Sequence, residues 1–407
     1  MKKLREILDQ QAPLFEKGGK LEKYHAIYEM HDTGLFTPGD VTKTGSHVRD
    51  GLDLKRMMIT VVLALIPCIA IACYNAGYQA HVAISAGALP LDSWQTALYS
   101  LLGLGFDPAD AIGCTVHGLL YWLPIFVTTM LVGAAVEATT AILRHHEVNE
   151  GFLVTGFLIP LTCPATIPLW QVALATAFGI VFAKEVFGGT GMNFLNPALT
   201  ARAFLFFAYP ADISGDVVWV AAQVQSVDGY SGATWLARAA VEPGVLQQAG
   251  DGVWMDAFLG RIPGSLGETS TLACMLGAGL LLLSRIASWR TMLGVTMGTF
   301  CMATLCNMGG SETNPMLAVP FHWHVVLGGW AFGAVYMATD PVSSAFTDSG
   351  KMIYGFCIGV LVVLVRAINP AYPEGMMLAI LFMNMFAPLI DHYVVQENVK
   401  RRAARYA

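Results

Sequence analysis

The chain consists of long apolar stretches separated by short polar breaks. Residues 57–76, MMITVVLALIPCIAIACYNA, carry no charge over the length of helix that spans the hydrocarbon core of a bilayer. Further apolar segments follow along the chain, at about 118–143, 151–163, 169–186, 197–209, 270–287, 290–308, 324–339, 352–369 and 374–393. The pattern predicts an all-α polytopic membrane protein of about ten transmembrane helices, some of them short or broken.

The polar segments predict three parts of the chain and their orientation. A polar N-terminal segment, 1–55, precedes a transmembrane domain, 56–393, and a basic tail, 394–407. Lys and Arg cluster before the first apolar segment and after the last, which predicts that both termini lie in the cytoplasm. The connection 210–268 carries an excess of Asp and Glu over Arg, so we expect it at the outer face.

Composition supports the membrane assignment and narrows the chemistry. Charged residues make up 13% of the chain, about half of the share in a soluble domain. The sequence has no basic cluster with interleaved aromatic residues, which argues against nucleic acid as a partner. The eight cysteines form no Cys-x-x-Cys pair and lie mostly in apolar segments. We therefore interpret them as buried thiols rather than as disulfides or metal ligands.

Two stretches of the chain resemble each other. Residues 170–183, WQVALATAFGIVFA, are similar to 323–338, WHVVLGGWAFGAVYMA, and each stretch runs into a polar break. Such a repeat is typical of folds with two inverted halves and a site at their interface. Two alternatives stay open: a chance similarity between helices rich in small residues, and a transporter or channel that carries no cofactor.

The first of these breaks contains two asparagines. It reads GGTGMNFLNP over 188–197, and its glycines permit close approach of the backbone. Asn193 and Asn196 stand three residues apart, and their amides have two possible uses. They either hydrogen-bond a planar heterocycle or cap the helix that begins at Pro197.

A short motif in the acidic connection points to a family. Residues 228–234, DGYSGAT, resemble the pattern Asp-x-x-Ser/Thr-x-Ala-Thr/Ser at which a flavin transferase joins FMN through its phosphate to a threonine. Flanking segments carry the same resemblance: AKEVFGGTGMNFLNPA, ARAFLFFAYPA, MDAFLGRIPGSLGETSTLA, ATDPVS and NPAYPEGMMLAILF. The chain is thus similar, from about residue 50 onward, to the family that contains the B subunit of the sodium-translocating NADH:quinone oxidoreductase and the D subunit of the Rnf complex.

The resemblance implies cofactors and their residues. It implies FMN esterified to Thr234, with Ser231 as a small neighbour and Asp228 assisting the transferase, and a riboflavin held near Asn193 and Asn196. It also implies ubiquinone as substrate, partner subunits of a bacterial inner-membrane complex, and coupling to Na⁺ or H⁺ movement. No dinucleotide fingerprint follows a predicted strand, so we expect NADH to be oxidised on a partner. The long segment 1–55 favours the quinone oxidoreductase over the Rnf complex.

Small residues and a carboxylate lie within the second apolar segment. Gly133, Ala134 and Glu137 correspond by resemblance to the quinone and inhibitor region of the family, where two adjacent glycines are usual. A carboxylate inside an apolar helix is costly and indicates function. Tight helix packing is the alternative interpretation for Gly133 and Ala134.

Three further acidic residues, Glu185, Asp340 and Asp391, each follow an apolar run. Carboxylate oxygens suit Na⁺, as they suit other hard cations, and a protonated carboxyl carries H⁺. We therefore consider all three as candidates for an ion path. A helix cap or an interfacial charge is the alternative, especially for Glu185 and Asp391.

Overall fold

The computed structural model describes residues 2–36, 45, 54–144, 151–227, 230–311, 313–369 and 374–405. In this part of the chain, regular structure is almost entirely helical. Two strands of two residues each, Leu89–Pro90 and Ala222–Gln223, pair in antiparallel orientation. The all-α fold class is therefore confirmed.

Seventeen helices follow one another along the described chain, and we number them α1 to α17. They are α1 Lys2–Phe15, α2 His25–Leu35, α3 Leu54–Ser85, α4 Trp94–Leu101, α5 Ala111–Arg144, α6 Gly151–Thr162, α7 Leu169–Ala183, α8 Pro197–Ala208, α9 Pro210–Ile213, α10 Trp235–Val241, α11 Val245–Leu259, α12 Thr271–Leu283, α13 Trp289–Gly309, α14 Phe321–Val326, α15 Trp330–Phe332, α16 Asp348–Ile368 and α17 Met376–Ala403.

The helices reproduce the predicted number of membrane segments. Six of them, α3, α5, α7, α13, α16 and α17, are long and apolar enough to cross a bilayer. Three shorter apolar helices are α6, α8 and α12. The tenth segment is interrupted: α14 ends at Val326, α15 begins at Trp330, and a π-helical turn continues it over Gly333–Met337. The inverted relation of the two halves stays a prediction.

Glycines bring the long helices into backbone contact. A Cβ on Gly118 of α5 would lie 1.8 Å from the carbonyl oxygen of Cys73 on α3, and one on Gly298 of α13 would lie 2.1 Å from that of Phe356 on α16. Small residues at such crossings are the usual means of packing helices in lipid, where no hydrophobic effect drives the helices together. The two crossings hold α3 against α5 and α13 against α16.

Arg366 stabilises the interruption between α14 and α15. This side chain of α16 is fully buried. Its Nη1 donates to the carbonyl oxygen of His324 at 2.8 Å, and its Nη2 donates to that of Leu327 at 2.8 Å. Gly328 takes up the turn at φ 65°. Carbonyl groups released at a break in a membrane helix need such a partner, because lipid offers none.

The polar ends of the chain are largely helical. α1 and α2 pack against each other: Arg5 Nη1 donates to Asp32 Oδ1 at 2.7 Å, and the rings of Phe15 and Tyr28 stack with centroids 5.1 Å apart. At the other end, α17 continues without interruption to Ala403. The basic tail predicted for 394–407 is therefore, as far as Ala403, the last turns of the final membrane helix.

Candidate functional site

Thr234 lies on the wall of a cavity of about 470 Å³, which we call the Thr234 cavity. Thr234 is the N-cap of α10, and its Oγ1 accepts a hydrogen bond from the Ala237 N–H at 3.2 Å. The side chain is half-buried, so its hydroxyl borders the cavity rather than the core. The lining includes Arg202, Phe206, Ser214, Asp216, Trp219, Ser231, Arg238, Glu242 and Glu374.

Small residues before Thr234 form the entrance to this cavity. A Cβ on Gly232 would lie 2.3 Å from the carbonyl oxygen of Asp216, so only glycine fits there. Ser231 is exposed, and its Oγ accepts from the Ala233 N–H at 3.2 Å. The described part of the motif, residues 230–234, therefore packs its backbone against Asp216 and leaves Thr234 on the cavity wall. Asp228, the first residue of the motif, lies outside the described residues.

Two arginines give the Thr234 cavity the means to hold an anion. Arg202 is 5% exposed, and its Nη2 lies 3.5 Å from Glu374 Oε2. The Arg238 guanidinium stacks 4.5 Å from the ring centroid of Trp235 and lies 3.5 Å from Glu242. Guanidinium groups are the preferred partners of phosphate.

Size and lining of the Thr234 cavity fit an esterified flavin nucleotide. Its volume falls within the range of about 300–1,000 Å³ that is usual for small-molecule sites. Phe206 and Trp219 contribute aromatic surface for a ring system. Thr234 supplies the hydroxyl, and two arginines line the same cavity.

Asn193 and Asn196 line a second cavity, which we call the Asn196 cavity, of about 80 Å³. Asn196 caps α8, because its Oδ1 accepts from the N–H groups of Ala198 and Leu199 at 3.0 and 3.2 Å. Its Nδ2 donates to Asp340 Oδ2 at 3.3 Å. The capping interpretation therefore describes Asn196 in this structure.

The side-chain amide of Asn193 is likewise hydrogen-bonded to the nearby backbone. Its Oδ1 accepts from the Gly191 N–H at 3.3 Å, and its Nδ2 donates to the Leu195 carbonyl at 3.1 Å. The Asn196 cavity is far smaller than the ~300 Å³ at which small-molecule sites begin. In this conformation the residues do not fit a riboflavin, whereas water molecules and a cation do fit the volume.

The structure separates the three ion-path candidates. Asp340 lines the Asn196 cavity and accepts hydrogen bonds from Asn196, from the Val342 N–H at 3.1 Å and from Ser343 Oγ at 2.6 Å. Asp391 accepts instead from the N–H groups of Phe346 and Thr347, at 2.6 and 3.0 Å. Asp391 thus holds the start of α16 in place, and Asp340 is the candidate that borders an internal space.

Glu185 belongs to a buried charged group together with the quinone candidate Glu137. Lys184 Nζ donates to Glu137 Oε1 and lies 3.9 Å from Glu185 Oε1. Arg144 donates to the backbone carbonyl of Glu185. The three side chains of Glu137, Lys184 and Glu185 are 3–5% exposed. Because Lys184 also lines the Asn196 cavity, Glu137 is connected to that cavity through an ion pair.

Gly133 and Ala134 lie on different faces of α5. A Cβ on Gly133 would lie 2.0 Å from Phe152 Cε2, so this position is a close contact with α6. Ala134 is exposed, whereas Glu137 faces the interior with Gly133. The geometry supports the packing interpretation for Gly133. A quinone site formed by Gly133, Ala134 and Glu137 stays a prediction.

Arg202 and Glu374 are functional candidates that the sequence pattern did not single out. They come from α8 and from the residues before α17, 172 positions apart, and meet at the Thr234 cavity. No spacing rule connects residues so far apart. One signal was present: Arg202 is a charged residue inside an apolar segment, and such residues mark functional positions.

Comparison with known proteins identifies the family of the chain. A family model described as the NQR2, RnfD, RnfE family matches residues 41–400. The chain is 56% identical over 406 residues to the B subunit of the Na(+)-translocating NADH-quinone reductase of Pseudomonas paraeruginosa, covering 99% of both chains. The same subunit from Chromohalobacter salexigens (56% over 405 residues, 99% of this chain and 97% of that one) and from Pseudoalteromonas atlantica (54% over 405 residues, 99% of both) is also similar. The chain therefore belongs to the NQR2, RnfD, RnfE family.

Proposed function

We propose that this chain is the B-type membrane subunit of a Na⁺-translocating NADH-quinone reductase and carries FMN as a phosphoester on Thr234. The observation that carries the proposal is the position of Thr234: its hydroxyl borders a 470 Å³ cavity that two arginines line. The 54–56% identity over nearly the full length to proteins of that name supports the assignment. This agreement includes the N-terminal segment, which favours the quinone reductase over the Rnf complex.

The residues of the Thr234 cavity would hold such a group in defined ways. Thr234 Oγ1 is the atom that would carry the phosphate: a flavin transferase would form the Oγ1–P bond, break the phosphoanhydride bond of a flavin dinucleotide donor and release its nucleoside monophosphate, while the hydroxyl loses its proton. Arg202 and Arg238 would balance the phosphate charge, and Phe206 and Trp219 would cover the ring and exclude water from it. When bound, the flavin supplies one- and two-electron redox chemistry that side chains lack.

Quinone reduction and ion movement, the other functions of the family, each have separate support. We propose reduction of ubiquinone by the assembled complex, coupled to Na⁺ or H⁺ movement, because quinone reduction and Na⁺ translocation are in the names of the relatives. For an ion path, the support is Asp340 on the wall of the Asn196 cavity. We derive no step through riboflavin, since that cavity does not fit the ring.

Membrane orientation forms part of the proposal. Ten segments with basic residues at both termini support a subunit of the bacterial inner membrane whose termini lie in the cytoplasm. The Thr234 cavity, formed largely by the acidic connection 210–268, then faces the outer compartment. The Asn196 cavity, which residues near the start of α3 line, would then lie toward the cytoplasmic side.

Loss of covalent flavin from a Thr234 variant tests the proposal. The complex would be purified from cells with an active flavin transferase, and the subunit's fluorescence read on a denaturing gel. We expect a fluorescent band from the parent chain and from Thr234→Ser, and none from Thr234→Ala, because the alanine has no hydroxyl to esterify.

Ser214→Ala serves as the matched control. Ser214 lines the same cavity but lies outside the motif, and its Oγ donates to the Pro210 carbonyl at 2.7 Å. This variant should keep the fluorescence. A dark parent band, or a Thr234→Ala band as bright as the parent, would contradict FMN attachment. A dark parent band would favour a cofactor-free transporter, whereas a bright Thr234→Ala band would mean that the flavin is attached to another residue.

A further inference from the structure

Two carboxyl groups and one arginine lie between the Thr234 cavity and the interrupted helix. Glu374 lines the Thr234 cavity and also a small adjoining cavity of about 20 Å³. Glu268, Gly328 and Thr234 line the small cavity as well. The group formed by Glu268, Glu374 and Arg202 therefore borders the proposed flavin site, and its two carboxyls have no role in attaching the cofactor.

Glu374 pairs with the Arg202 guanidinium, and Glu268 borders the same small cavity as Glu374. Arg202 Nη2 lies 3.5 Å from Glu374 Oε2 and donates to Ser265 Oγ at 3.4 Å. The charges of Glu374 and Arg202 act on Glu268 in opposite directions. On its other side, Glu268 packs against the break between α14 and α15, where a Cβ on Gly329 would lie 2.8 Å from Glu268 Oε1.

Two carboxyls and one guanidinium form this group, and further charged side chains lie on the surrounding elements. Arg366, the next arginine, donates to the backbone carbonyls of His324, Leu327 and Glu374. Arg238 pairs with Glu242 on the rim of the Thr234 cavity. Within the described residues, the other titratable neighbours of Glu268 are the thiols of Cys163 and Cys274. Two half-buried carboxyls that border one small cavity repel each other, and this repulsion favours a proton on one of them.

Titration of Glu268 agrees with this geometry. Glu268 lies in the connection before α12, outside the membrane-spanning helices. Burial, together with the neighbouring Glu374, raises the pKa of Glu268 to about 8, and Arg202 opposes the shift. At neutral pH Glu268 therefore carries a proton, and it is poised to exchange that proton in the physiological range.

We propose that Glu268, in the group that it forms with Glu374 and Arg202, is a proton-holding site whose occupancy follows the charge in the Thr234 cavity. The proposal rests on the proposed function, because an FMN on Thr234 is what would bring negative charge into that cavity. A proton from the outer solvent would form an O–H bond on a carboxylate when negative charge arrives, and that bond would break when the charge leaves. Glu374, whose side chain is 19% exposed, connects the pair to solvent.

Infrared spectroscopy of the purified complex tests the site directly, because a protonated carboxyl has a C=O band that a carboxylate lacks. Spectra of the oxidised complex would be recorded between about pH 6 and 10, on both sides of the expected transition. We expect a carboxylic-acid band that disappears with an apparent pKa of about 8 and is absent from Glu268→Gln. Reduction should raise this apparent pKa by about one pH unit, the order expected for a charge added nearby at an effective dielectric constant of ~20.

Two further variants separate the possible outcomes. Glu242→Gln, which changes an exposed carboxyl on the rim of the same cavity, should leave the band unchanged. Thr234→Ala should keep the titrating band and lose its response to reduction. Gel fluorescence of each variant tells whether flavin is attached. A parent complex without flavin whose band still titrates would therefore contradict the proposed function and leave the proton site intact.

Three results would overturn the inference. One is a parent complex with attached flavin but no titrating carboxylic-acid band. Another is a band that persists unchanged in both Glu268→Gln and Glu374→Gln. The third is an apparent pKa that falls steadily as Na⁺ replaces a bulky organic cation at constant ionic strength, since that would assign the carboxyls to a metal cation instead of a proton.

Discussion

Gly133 shows how one missing side chain sets the distance between two membrane helices. A Cβ on Gly133 would lie only 2.0 Å from Phe152 Cε2 and 3.0 Å from Ile180 Cδ1, so there is no room for it. By contrast, the adjacent Ala134 is exposed. The two positions therefore differ in what a larger side chain would meet, although they are neighbours in the sequence.

We expect Gly133→Ala to destabilise the subunit by about 1–3 kcal/mol, the usual cost of overpacking. The denaturation midpoint of the purified complex measures this loss, and Phe152→Leu in the same chain should recover much of it by making room for the methyl group. A Gly133→Ala complex as stable as the parent, but with a changed KM for quinone, would show that Gly133 belongs to a quinone site instead.

Thr234 illustrates what residue patterns can and cannot predict. The motif around it indicated a modified hydroxyl, because its small residues and its threonine are adjacent in sequence. The arginines of the same cavity were not predicted as cofactor residues, since Arg202 and Arg238 reach the cavity from separate helices. Asn196 had two possible uses, and only the structure shows its amide engaged by the start of α8 and by Asp340.

Among the elements, the interrupted segment from α14 to α15 departs most from its predicted form. The pattern indicated one short helix at about 324–339, whereas the structure begins it at Phe321 and breaks it after Val326. The related stretch in the first half forms the continuous α7. In α7, Ala175 and Thr176 stand at the positions that correspond to Gly328 and Gly329. Gly328 adopts a φ of 65°, which alanine and threonine disfavour.

Arg366→Gln should destabilise this interruption strongly. The shorter amide cannot reach the carbonyl oxygens of His324 and Leu327 together, and buried acceptors without a donor cost roughly 1–3 kcal/mol each. We expect the free energy of unfolding, determined from denaturation of the complex, to fall by about 3 kcal/mol or more, or the subunit to fail to assemble.

Arg290→Gln provides the comparison for Arg366. Arg290 Nη1 lies 3.1 Å from Asp348 Oδ1, but both side chains are at least one-third exposed. Such surface pairs contribute between 0 and about 1 kcal/mol. Equal losses in the two variants would show that the carbonyls at the break do not depend on Arg366.

In the molecule as a whole, α8 connects the two cavities. Asn196 and Pro197 at its start line the Asn196 cavity, and Arg202 and Phe206 line the Thr234 cavity. At 1.5 Å per residue, Asn196 and Phe206 are about 15 Å apart along the helix. The proposed flavin site and the acid Asp340 therefore lie toward opposite ends of one short helix, in an arrangement suited to linking redox change to ion movement.

The sequence predicted the large-scale organisation well, because hydrophobic length is a local property that lipid imposes on each segment. Ten segments, the helical fold class and the family were all predicted correctly. Close packing at Gly133, the shared role of Lys184 and the carboxyl pair of Glu268 and Glu374 depend on contacts between distant segments. Residue spacing along one chain contains no direct record of such contacts.

A density map of the purified complex, at a resolution that shows ring systems, tests the central claim most directly. We expect planar density in the Thr234 cavity, beside Phe206 and Trp219 and continuous through a phosphate with Thr234 Oγ1. A Thr234 side chain with no attached density, in a complex whose flavin occupies a different site, would contradict it.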